Sequence, residues 1–121
     1  MDEKEVLMLL DADTQELYIR IGRELTGKNI FPLGDEKLME LSRKWFVDLR
    51  SKLKSIVCSN ERVQSIFLNQ SNIQQRISLV FALADLISSL TMNVSPWSVS
   101  ALLVKEGIDT LCKDIWSSHN G

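Results

Sequence analysis

Few residues of this chain could do chemistry, and the most isolated of them is Asp85. It is the single charged side chain between Ile77 and Met92, where every neighbour is apolar or a serine or threonine. A carboxyl group fully buried in such a run would shift its pKa or require a partner. Three readings are open. Ser78, Ala82, Asp85 and Ser89 follow one another at i, i+4, i+7 and i+11 and so share one helix face, which suits a thin wetted line or a close helix contact. Alternatively, Asp85 pairs inside the chain with a base such as Arg76 or one on the second helix. In the third reading it is a binding or catalytic carboxylate.

The remaining polar chemistry is sparse. His119, the single histidine, lies near the C-terminal end, where a preorganised geometry is hard to hold. No HExxH, GxSxG, P-loop or GxGxxG pattern occurs. No catalytic, cofactor-binding or metal-ligating residue is assigned, and the expectation is a protein without enzymatic activity and without a cofactor. Cys58 and Cys112 have no CxxC spacing and no companion histidine. They are expected as buried thiols, with neither a zinc site nor a disulfide framework indicated.

Charge patterning offers a better candidate. Arg43, Val47, Arg50 and Lys54 recur at i, i+4, i+7 and i+11, opposite the apolar face of their helix. Residues 36–54 hold Lys37, Arg43, Lys44, Arg50, Lys52 and Lys54 against Glu36, Glu40 and Asp48, net +3. Residues 1–27 hold Lys4, Arg20 and Arg23 against Asp2, Glu3, Glu5, Asp11, Asp13, Glu16 and Glu24, net −4. The plain account is a pair of complementary solvated faces. The sharper one is a docking stripe for an acidic partner helix or, as a lesser alternative, for phosphates. Nucleic acid gets little support: the whole chain carries −2, and the pI is near 5.4. The two helices that could form a helix-turn-helix become apolar after Arg76, with only Gln74 and Gln75 as other readers.

These residues need elements to position them. The pattern predicts a first helix over Glu3 to Leu10 and Thr14 to Leu25, either continuous or broken near Asp11, and ending at Gly27. Pro32 and Gly34 make 28–34 a loop, pinned to the core by Phe31 and Leu33. Asp35 is expected to cap a long helix with Leu38, Leu41, Trp45, Leu49, Leu53 and Ile56 inward, and with Glu40–Lys44 and Asp48–Lys52 paired on its polar side. Ser59 or Asn60 then caps a short helix in which Val63, Ile66 and Phe67 face inward. An apolar helix follows from about Ile73 to Met92, too short and too interrupted to favour a bilayer span. Ser95 and Pro96 open the last helix, with Ala101, Val104, Ile108, Leu111 and Ile115 on one face. Gly107 lies within it, so either another helix approaches there or the helix breaks. Leu102, Leu103 and Val104 in a row give an apolar arc wider than one neighbour covers, which predicts a central position or a second chain. Trp45, Trp97 and Trp116 are expected on apolar helix faces.

Length and composition fit one all-α domain over 1–121, a bundle of four to five helices around a central apolar helix at about 73–92, with 118–121 a flexible tail. The N-terminal MDEKEV lacks the basic region of a signal peptide, so a cytoplasmic location is expected. The function expected is protein interaction, as an adaptor, a regulatory subunit or a self-associating bundle. The partner is an acidic protein or a second copy of the chain, with no membrane span. The alternative is a small-molecule or lipid binder with a cavity lined by Phe81, Leu86 and Leu103 and Asp85 at its mouth. A nucleic-acid-binding regulator stands behind that.

Overall fold

Most helix starts in this chain are written as oxygen-bearing side chains. The computed structural model describes residues 1–27, 33–68, 72–91 and 93–120, excepting the side chains of 117–120. In chain order the helices are α1 (Glu3–Asp11), α2 (Thr14–Thr26), α3 (Asp35–Cys58), α4 (Glu61–Leu68), α5 (Ile73–Thr91), α6 (Pro96–Glu106) and α7 (Ile108–Asn120). Asp2 accepts from the Glu5 amide at 2.9 Å and Asp13 from the Glu16 amide at 2.8 Å. Asn60 and Asn72 do the same for Val63 and Gln75, at 3.0 and 2.9 Å. Each bond satisfies an amide with no partner inside its helix. Ser95 caps α6, and Pro96, which has no amide to lose, takes the first helical position.

The expected bundle of four or five helices becomes seven among the described residues because two runs break. Asp13 caps α2 and thereby ends its continuity with α1. Gly107 adopts φ +106°, a conformation that favours glycine, and separates α6 from α7. The Asp35 cap is corrected: Gly34 occupies that position without a side-chain bond, and Asp35 and Glu36 sit in the first turn beside the positive end of the helix. Phe31 lies outside the described residues, and Leu33 is half-buried. The tail expected at 118–121 also falls outside the described side chains, although the α7 backbone continues to Asn120.

The centre is shared by α5 and α6, which pack chiefly on each other. Six consecutive residues of α6, from Ser98 to Leu103, are buried, because α1 and α2 cover the sides that α5 leaves. The small side chains of Ser98, Ser100 and Ala101 leave room for those neighbours. The wide apolar arc is therefore covered within the chain. By length and composition α5 could cross a membrane, yet it lies in contact with α6, α4, α3 and α1.

α3 is more peripheral than its periodicity predicts. Leu38 and Leu53 are buried, but Leu41, Trp45, Leu49 and Ile56 are half-buried, and Ser42, Val57 and Cys58 complete its inner side. Its expected ion pairs also change: Glu40 meets Lys37 at 3.6 Å, and neither Glu40–Lys44 nor Asp48–Lys52 forms among the described residues.

The cysteines require the largest correction. Cys58 and Cys112 form a disulfide, their α-carbons 5.3 Å apart across the contact between α3 and α7. Separation in sequence says nothing about this distance, which is set by α7 crossing the last turn of α3. Trp116 secures the same joint: its indole N–H donates to the Cys58 carbonyl at 3.0 Å, and its ring lies 5.2 Å from that of Phe67.

Candidate functional site

Two surfaces carry the candidate residues. The first is the outer face of α3. Arg43, Val47 and Arg50 are exposed along it, and Val47 keeps 69% of its surface open to solvent. Lys54 departs from the predicted stripe: it is half-buried and reaches Asp114 on α7 at 3.1 Å. Arg43 lies over the Tyr18 ring, 5.2 Å from its centroid, so the ring's electrons hold its charge in place. Arg50 borders a small cleft of about 60 Å³ beside Phe46, Leu103, Glu106 and Gly107. That volume suits about two water molecules rather than a ligand.

Behind this face, α2, α3 and α6 meet at Tyr18. Its hydroxyl donates to Glu106 at 2.8 Å, and its carbonyl accepts from the buried Ser42 hydroxyl at 2.6 Å. Burial pushes the Tyr18 hydroxyl up to about 12, the bond to Glu106 and the charge of that carboxylate push the same way, and Arg43 opposes them. Tyr18 is thus a neutral donor that fixes Glu106 and supports Arg43. Periodicity gives no sign of this partner eighty-eight residues away.

The second surface lies where α4, α5 and α6 meet. Asp85 is exposed, so the buried-carboxylate and internal-pair readings are corrected: no ion pair reaches it among the described residues. Ser89 is exposed with it, Ser78 is half-buried and Ala82 is buried, so the predicted polar line opens only toward the C-terminal half of α5. Asp85, Ser88 and Phe81 border an open groove of about 390 Å³ with Arg62, Pro96 and Trp97. Phe81 and Trp97 meet edge to face, ring centroids 5.1 Å apart. The residues expected around one cavity are divided between two openings among the described residues. Phe81 borders this groove, Leu103 the small cleft near Arg50, and Leu86 neither.

Among the described residues no group of histidines, cysteines and carboxylates is arranged to hold a metal ion. Compared with protein-family models, curated proteins and solved structures, the chain matches none.

Proposed function

We propose that this chain is a non-enzymatic protein-interaction module that docks an acidic partner segment on the outer face of α3. The observation carrying this reading is Val47, a large apolar side chain 69% exposed between the cations Arg43 and Arg50. An apolar contact flanked by positive charge fits an amphipathic helix whose polar side is acidic, the apolar contact giving affinity and the charges giving orientation and on-rate. Lys54 belongs to the fold rather than to the stripe.

Support for self-association is weaker than the sequence suggests, since the chain itself covers α6 and the exposed groups on α5 are polar apart from Ile73 at its start. The disulfide weighs against the expected cytoplasmic location, because reducing compartments keep such thiols unpaired.

The test is a photo-crosslinker placed at the exposed Ser51 in cells of the native source. The captured segment is expected to be acidic, and capture is expected to fail with Arg50→Glu. A neutral or basic captured segment, or capture that survives Arg50→Glu, overturns the proposal.

A further inference from the structure

The groove between α5 and α6 combines features that the α3 reading leaves unused. Two aromatic rings from different helices, Phe81 and Trp97, meet edge to face at its wall, each half-buried and so partly accessible. On the same groove stands the exposed Asp85 carboxylate, one turn beyond Phe81. Its own backbone carbonyl is engaged by the Ser88 hydroxyl at 3.3 Å, but no cation of the chain lies within ion-pair distance of the carboxylate among the described residues.

An aromatic face and an unpaired carboxylate converging on one groove select for a cation with a flat or apolar stem. The ring quadrupole attracts the charge, the carboxylate accepts its hydrogen bonds, and the stem lies against the rings. Arginine and lysine side chains have this form. Arg62, exposed on the α4 rim of the groove and also without an ion pair among the described residues, discourages a run of cations and favours an acidic residue beside the single basic one. The opening of about 390 Å³ is large enough for one such side chain with its neighbours.

We propose that this groove is a second binding site, which takes a peptide segment presenting one arginine or lysine next to an acidic residue. The segment's cation lies against Trp97 and Phe81 and is bound by Asp85. Its acidic neighbour faces Arg62. The site is independent of α3 and would bind even if the α3 face proved to be only a solvated surface.

The probes are capped alanine–proline pentapeptides containing one glutamate and, at a neighbouring position, arginine, lysine, citrulline or a second glutamate. Binding to the intact chain is followed by NMR shifts of the Trp97 indole and the Asp85 amide. The arginine and lysine peptides are expected to shift both signals, with citrulline about tenfold weaker and the double-glutamate peptide silent. Asp85→Asn, at an exposed position, is expected to weaken the arginine peptide about tenfold. Arg62→Gln should weaken the arginine peptide yet leave a version lacking the glutamate unchanged. Equal binding of citrulline and arginine, no shift at millimolar peptide, or indifference to Asp85→Asn overturns the proposal.

Discussion

Gly22 on α2 faces the backbone of Leu38 on α3 so closely that a methyl group at position 22 would collide with the Leu38 carbonyl. The obstacle is main chain, which cannot rotate aside as a side chain would. Gly22→Ala is therefore expected to destabilise the protein by about 1 to 3 kcal/mol despite the better helix propensity of alanine. Urea unfolding checks this, and unchanged or increased stability would contradict the close approach.

The bridge between Cys58 and Cys112 closes a loop of 54 residues, and the chain-entropy account assigns it roughly 4 kcal/mol. Replacing both cysteines with serine is expected to lower stability by about that amount. Protein taken from its native source and alkylated under denaturing conditions should show no free thiol. Two alkylated cysteines would instead return the chain to the cytoplasmic location expected from its N-terminal residues.

Tyr18 ties stability to alkaline pH. Its ordinary value of 10.0 applies to the unfolded chain, and in the fold it rises to about 12. The folded state thus holds the proton more tightly. That contribution is complete below pH 10, falls as pH rises, and is gone above about 12. Between those limits the wild type should lose stability faster than Tyr18→Phe, which has no proton to release there. Parallel stability curves for the two proteins would show that burial and Glu106 do not act on this hydroxyl.

The α3 face separates binding from folding. Val47 and Arg50 are exposed, so Val47→Asp and Arg50→Glu are each expected to change stability by no more than about 0.5 kcal/mol. Both should abolish capture of the partner in a pull-down from the native source. A variant that unfolds would reassign the stripe to the fold.

What could be read in advance divides along the range of the interaction. Asn60 and Ser95 accept from amides three residues away, and Pro96 takes the first helical position, so these two helix starts follow from local order. Gly107 was ambiguous between a close approach and a break, and the answer splits between two glycines: Gly107 breaks a helix, whereas the close approach belongs to Gly22. The disulfide, the Tyr18–Glu106 bond and the Phe81–Trp97 contact depend on how helices cross, which periodicity does not encode. Asp85 shows the same limit. Its position on a helix face was legible, but whether that face opened on water, a base or a groove was decided by α4 and α6.

The late position of α6 has a consequence for how the molecule is made. Lys105 donates to the Leu10 carbonyl at 2.7 Å, and Glu106 receives the Tyr18 hydroxyl, so α1 and α2 complete part of their packing only when the last quarter of the chain arrives. During synthesis α1 and α2 leave the ribosome before α6, which they flank, exists. The sides of α1 and α2 that face α6 must wait for it, and closing such contacts distant in sequence slows folding. A chain arrested before residue 96 would carry α1 to α5 but only half of the centre that α5 and α6 share.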